Sequence, residues 1–121
     1  MKNQILVFAL LSLISHSVAS QKVEFPRSKV LFESGSHGYY TYRIASMVSS
    51  PEGPLLAFCA ARKGSGGDWD PIDIVMRRST DSGKTWEPMK LIAHRDGFLC
   101  DNAMPISDYI TGEVHLLYQV D

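Results

Sequence analysis

The chain lacks a basic excess. Twelve Lys and Arg stand against 13 Asp and Glu in 121 residues, for a net charge of -1. Nucleic acid is therefore excluded as the main partner, because phosphate binding needs surplus positive charge. Cysteine is scarce, with only Cys59 and Cys100. Neither has a second ligand at metal-binding spacing, and His37, His94 and His115 read as isolated, so no metal and no cofactor are expected. A membrane-length apolar run is also missing. Residues Ile5 to Ile14 are nearly continuously apolar, but a spanning helix needs about 20 such residues.

That short run has another reading. Lys2 precedes it and the small residues Val18-Ala19-Ser20 follow. This is the pattern of a secretory signal peptide over residues 1–20, cut after Ala19 or Ser20. The mature part, 21–121, is then expected to be secreted or periplasmic, with no membrane span after signal removal. In such an oxidising route Cys59 and Cys100 either bridge or remain buried thiols. Sequence does not fix their Cα separation, so both readings stay open.

The remaining chain reads as short strands and turns, without a helix. Val30-Leu31-Phe32 is a brief strand. Strands are expected over Tyr42–Val48, Leu55–Ala61, Asp73–Arg78 and Met89–Ile92. The cluster Ser49-Ser50-Pro51-Glu52-Gly53 separates the first two as a turn. Leu56, Phe58, Ala60 and Arg62 fall on one face of the second strand, and Leu55, Ala57, Cys59 and Ala61 on the other. Both faces are apolar up to Arg62, which predicts burial on both sides. A second unit begins near Asn102, turns at Ile110-Thr111-Gly112 and continues with a strand over Val114–Val120. Four antiparallel strands match one propeller blade. One blade cannot bury both faces alone, so the chain reads as the start of a longer protein, with poor folding expected of it alone.

Residues Ser79 to Trp86 read S-x-D-x-G-x-T-W. Asp81 can accept backbone N–H bonds from residues further on. Gly83 supplies the positive φ of a tight reversal. Thr85 and Trp86 favour strand and restart the sheet, and Trp86 packs under the turn. The Gly83-Lys84-Thr85 ending resembles a phosphate-binding loop. That loop needs glycine where Arg78 stands, and a helix where Trp86-Glu87-Pro88 stands, so nucleotide binding is excluded.

Three further positions carry candidate chemistry. Arg43 and Arg62 are arginines in apolar strand context, which is costly without an anionic partner. On adjacent antiparallel strands they can share one sheet edge and hold a ligand carboxylate by forked hydrogen bonds. The alternative is that each pairs with a local acid as scaffold. Asp68, Asp70 and Asp73 follow the glycine-rich loop 63–67. Mutual repulsion, with Trp69 excluding water, is expected to raise a carboxyl pKa there and favour a protonated acid. A solvated acidic loop is the alternative. A calcium loop is disfavoured because Asp73 occupies the position that needs glycine.

Together these residues resemble the sialidase family over about Tyr42 to Asp108. The eight-residue turn matches the family's Asp-box (BNR repeat) through Ser79, Asp81, Gly83, Thr85 and Trp86. Tyr42-Arg43-Ile44-Ala45 resembles its F/Y-R-I-P motif, with alanine in place of proline. Asn102 to Asp108 resembles the stretch opening the second blade, with Ala103 in place of proline. The resemblance implies a six-bladed β-propeller of which this chain covers roughly the first blade and part of the second. It implies a retaining exo-α-sialidase acting on sialylated glycans. Arg43 would bind the substrate carboxylate and Asp68 would be the general acid/base. Arg62 and Asn102 would face the sugar's 4-position. The nucleophile in the family is a tyrosine, and Tyr39, Tyr40, Tyr109 and Tyr118 lack its context, so no turnover is expected of the 121-residue chain alone. The competing reading is a non-catalytic Asp-box propeller that binds glycans or proteins.

Overall fold

A computed structural model describes residues 28–121. The expected signal peptide lies outside the described residues. Six strands follow in order: β1 Thr41–Ser49, β2 Leu55–Arg62, β3 Ile72–Ser79, β4 Lys90–Ala93, β5 Cys100–Asp108 and β6 Glu113–Val120. No helix occurs among the described residues. β1 to β4 form one antiparallel sheet in sequence order, and β5 and β6 form a second, two-stranded sheet. The protein is thus all-β, as its alternating apolar pattern predicts.

The period-2 reading of β2 explains the core. Phe58 packs with Ile74, Ala93, Cys100 and Ala103 between the two sheets. Cys59, Ala61 and Val75 face the opposite way, beneath Phe32, Tyr39, Tyr42 and Met89. Successive side chains of one strand thus serve two apolar layers, which is why β2 carries no polar residue before Arg62. Both cysteines are buried and unbridged. Burial pushes the Cys59 thiol up to about 11.

Three local expectations need correction. Val30 to Phe32 does not form a strand; Phe32 instead covers the outer layer from an irregular segment. Thr85 and Trp86 do not restart the sheet, because they belong to the turn. Thr85 gives its N–H to Asp81 at 2.8 Å, and Trp86 gives its indole N–H to the Gly83 carbonyl at 3.1 Å. Pro88, which has no N–H to donate, delays the ladder until Lys90. The second sheet begins at Cys100, two residues before Asn102.

The eight-residue turn is closed by side chains. Ser79 Oγ accepts the Gly83 N–H at 2.8 Å and donates to Asp81 Oδ1 at 2.8 Å. Thr85 Oγ1 donates to Asp81 Oδ2 at 2.6 Å. That hydroxyl, with the Thr85 N–H, holds the Asp81 carboxyl down at about 2.

Both sheets share an irregularity in their first strand. Arg43 pairs with Ala60 and Ser46 with Phe58, leaving Ile44 and Ala45 opposite one residue. Asp101 pairs with Gln119 and Met104 with Leu117, leaving Asn102 and Ala103 likewise. These are β-bulges, which bend a strand and re-aim its side chains. Ile44 has φ 55° and Asn102 φ 56°. Asparagine tolerates this region, whereas a β-branched isoleucine adopts it only under constraint. A proline at 45 or 103 would oppose it, because proline pushes its predecessor toward extended backbone. Alanine at both positions is compatible with the bulges. They also dock the sheets: Ser46 Oγ donates to the Ala103 carbonyl at 2.8 Å.

Candidate functional site

The register places Arg43 and Arg62 on one face. Arg43 is opposite Ala60, two residues from Arg62 on the same strand. Odd and even positions alternate faces, so both guanidinium groups project to the same side and the same edge. They meet on one atom. Asp68 Oδ1 accepts from Arg62 Nη1 at 2.5 Å and from Arg43 Nη1 at 3.2 Å. Arg62 continues to the second sheet, where its Nη2 donates to Asp101 Oδ2 at 3.1 Å. The result is a row of alternating charge: Arg43, Asp68, Arg62, Asp101.

The members differ in environment. Arg62 is 2% exposed and Asp101 is 8% exposed. Arg43 and Asp68 stand in solvent. A buried arginine without an acid is prohibitive, so Asp101 answers the demand that Arg62 makes on the fold. Arg62 Nε is buried and has no protein partner. The scaffold alternative thus describes the Arg62–Asp101 pair, while Arg43 and Asp68 form an open rim.

The rim borders a cleft of about 350 Å³ that contains Arg43, Arg62, Asp68, Asp101, Asn102 and Gln119. The four residues singled out from sequence, Arg43, Arg62, Asp68 and Asn102, all line it. Asn102 Nδ2 donates to Gln119 Oε1 at 2.9 Å across the second sheet. Asp101 and Gln119 escaped sequence reasoning. A signal for Asp101 existed: an arginine at the end of a wholly apolar strand needs an acid nearby, and Asp101 directly precedes Asn102.

The expectation of mutually repelling acids is not met. Asp68, Asp70 and Asp73 point three ways. Asp70 turns back into its own loop, accepting from Ser65 Oγ at 2.7 Å, Ser65 N at 2.8 Å and Gly67 N at 3.0 Å. These bonds, the Ser65 hydroxyl first, lower its pKa rather than raise it. Trp69 is 85% exposed and excludes no water from the acids. Asp73 is buried, and burial by itself would raise its pKa. Bonds from His94 Nδ1 at 2.7 Å, Tyr39 Oη at 2.7 Å and Lys63 Nζ at 3.0 Å outweigh that and lower it.

His94 is therefore not isolated, as its sequence context had implied. Its Nε2 also meets Asp96 Oδ1 at 2.9 Å. Its pKa is raised by Asp73 first and Asp96 second. Among the described residues no group of three His, Cys, Asp or Glu could hold a metal.

The glycines of the loop serve close packing. A Cβ on Gly66, at φ 80°, would lie 2.7 Å from Tyr40 Cδ1, and one on Gly64 would lie 3.0 Å from Asp70 Cγ. A side chain at 66 would displace Tyr40 and Thr41, and one at 64 would press on Asp70, which closes the loop.

Fold and site together define an all-β protein of antiparallel sheets with an arginine–carboxylate cleft across two of them. Comparison with known proteins narrows this class. No family profile matches the chain. A sialidase of Micromonospora viridifaciens is 36% identical over 59 residues, 49% of this chain and 9% of that protein. A sialidase of Bacteroides fragilis is 38% identical over 58 residues, 47% of this chain and 11% of that protein. Sialidase-3 of Bos taurus is 28% identical over 95 residues, 75% of this chain and 22% of that protein. The similarities support a sialidase-family relationship. The chain spans between 9% and 22% of the length of these relatives.

Proposed function

We propose that this chain supplies part of the site of a secreted, retaining exo-α-sialidase built as a six-bladed β-propeller. β1 to β4 would be one blade and β5 and β6 the start of the next. Arg43 grips the carboxylate of a terminal sialic acid. Asp68 gives its proton to the leaving glycosidic oxygen and later takes one from the incoming water. Arg62 and Asn102 bound the sugar's 4-hydroxyl side. A tyrosine hydroxyl from the remainder of the full-length protein, its proton taken by a neighbouring glutamate, attacks the anomeric carbon as the glycosidic bond breaks. The incoming water then cleaves the tyrosyl–sugar bond. A carboxylate nucleophile would be repelled by the substrate's own carboxylate.

One observation carries the reading. Asp68 Oδ1 sits between the Arg43 and Arg62 guanidiniums at the mouth of the cleft. The two cations already select a carboxylate, and the acid beside them rides on a loop rather than a strand. Substrate binding on Arg43 would free Asp68 for the leaving oxygen. In the full-length protein, Asp68→Asn is expected to lower kcat/KM on sugar-linked sialosides by about 100-fold or more. The loss should be smaller for sialosides with activated aryl leaving groups, which need little protonation. Unchanged hydrolysis of sugar-linked sialosides removes Asp68 from this role.

A second reading, a non-catalytic glycan-binding propeller, is favoured by one observation. Asp68 is already paired with both Arg43 and Arg62, an arrangement that can hold a ligand without reacting with it. Sialoside binding without cleavage in the full-length protein would decide for it.

A further inference from the structure

The cleft of the charged row does not end at Asp68. A second hollow, of about 240 Å³, opens beside it and is lined by Trp69, Asp70, Pro71, Phe98 and Leu99. Trp69, Leu99 and Asp121 belong to both. The two spaces thus form a bent groove with cations at one end and aromatic rings at the other.

Trp69 needs a reason for its position. An indole standing 85% in solvent gives up most of the burial that normally stabilises so large a ring. The chain's other tryptophan, Trp86, is fixed by its N–H to the Gly83 carbonyl. The loop nevertheless holds Trp69 in place from both sides. Asp70 is pinned to Ser65 and Gly67, and Asp68 to the two arginines. Across the hollow Phe98 is 44% exposed, with the Arg95 guanidinium 4.3 Å from its ring centre. Two aromatic side chains border a space that also holds two carboxylates, Asp70, occupied by its own loop, and Asp121, which can accept from a sugar hydroxyl.

We infer that this aromatic hollow is the subsite for the leaving sugar, and that Trp69 is a specificity-determining residue stacking on a neutral pyranoside. The inference rests on the sialidase reading above. The geometry follows from that chemistry. If the sialic acid carboxylate lies on Arg43 and the glycosidic oxygen lies at Asp68, the next sugar must extend away from the arginines. The residue adjacent to Asp68 in the chain and bordering the neighbouring space is Trp69. A pyranose offers an apolar C–H face to an aromatic plate and directs its hydroxyls to water. A neutral ring also avoids the desolvation cost that a charged aglycone would meet there.

The test uses two non-hydrolysable probes with the full-length protein, so that turnover does not intervene. One is the methyl thioglycoside of α-sialic acid. The other is the thio-linked sialyl galactoside. Titration calorimetry gives the two dissociation constants. The galactoside is expected to bind about tenfold more tightly, the advantage that about 1.4 kcal/mol of stacking confers. Trp69→Ala should reduce that ratio to near one, and Trp69→Phe, which keeps a plate, should leave an intermediate ratio. A wild-type ratio near one, or the same ratio in Trp69→Ala as in wild type, overturns the subsite while methyl glycoside binding leaves the sialidase reading standing. Failure of both probes to bind overturns that reading and the subsite with it.

Discussion

At the scale of single residues, backbone conformation explains more than side-chain contact. Gly83 sits at φ 85°, and a Cβ there would lie 3.7 Å from Leu55 Cδ1 and 3.8 Å from Trp86 Cζ2. Those are ordinary contacts, so space is not the reason for glycine. Gly83→Ala should still destabilise the fold by about 1 kcal/mol, the left-handed penalty of an L-residue. Urea unfolding of the variant measures it; an unchanged midpoint would show that the turn relaxes. Asp81 follows the same logic through charge. Its folded pKa is about 2, below the ordinary 3.8. Its contribution is therefore full above the unfolded value and is lost as pH falls through about 2.

At the scale of elements, the loop between β2 and β3 is tethered by two networks with different pH behaviour. Asp70 closes the loop on itself. Lys63, at its base, joins Tyr39 and His94 on Asp73. His94 has a raised folded pKa, so its stabilisation is complete below the unfolded value of 6.5 and fades as pH rises through the folded one. Melting temperature should thus decline with increasing pH from 6.5 upward, and His94→Gln should remove that slope. A wild-type profile flat across this window would mean that the imidazolium gains nothing from Asp73 and Asp96. Much of the element order was legible. The apolar alternation of Leu55 to Ala61 gave β2 and both its layers, and the turn residues separated β1 from β2 and β3 from β4. The bulges were not legible, because Ile44 is β-branched and its local preference is for regular strand. The start of β5 was hidden because Asp101, Asn102 and Pro105 are individually poor strand formers. Packing against Ile74 and Ala93 overrides that preference. The shared edge of Arg43 and Arg62 followed from strand polarity alone. The outward Trp69 did not, since an indole beside acids is as readily a water shield as an open platform.

At the scale of the whole molecule, the charged row ties the two sheets together, and its energetics depend on burial. Arg62 and Asp101 form a desolvated pair, with side chains 3% and 11% exposed. Asp101→Ala leaves the buried guanidinium with only the exposed Asp68 as an acidic partner and should cost about 3 kcal/mol. Arg43→Gln breaks only a rim contact and should cost under about 1 kcal/mol. Chemical denaturation of the two variants side by side checks the contrast, and equal losses would show that the row acts as one unit. Such a difference separates the scaffold end of the site from its open end.

The paired bulges have a consequence for how such a protein can acquire function. Arg43 directly precedes Ile44-Ala45, and Asp101 directly precedes Asn102-Ala103. The same kink therefore presents a different charge in each copy. Each kink thus provides a slot facing the cleft between the two sheets, and the residue before it sets the sign of that slot. Removing a single residue inside either kink would restore one-to-one pairing, with Arg43 still opposite Ala60 and Asp101 still opposite Gln119, so the bend would be lost and the face kept. A one-residue deletion at either place should accordingly straighten the strand and shift the neighbouring charge within the cleft, without reversing the strand's faces.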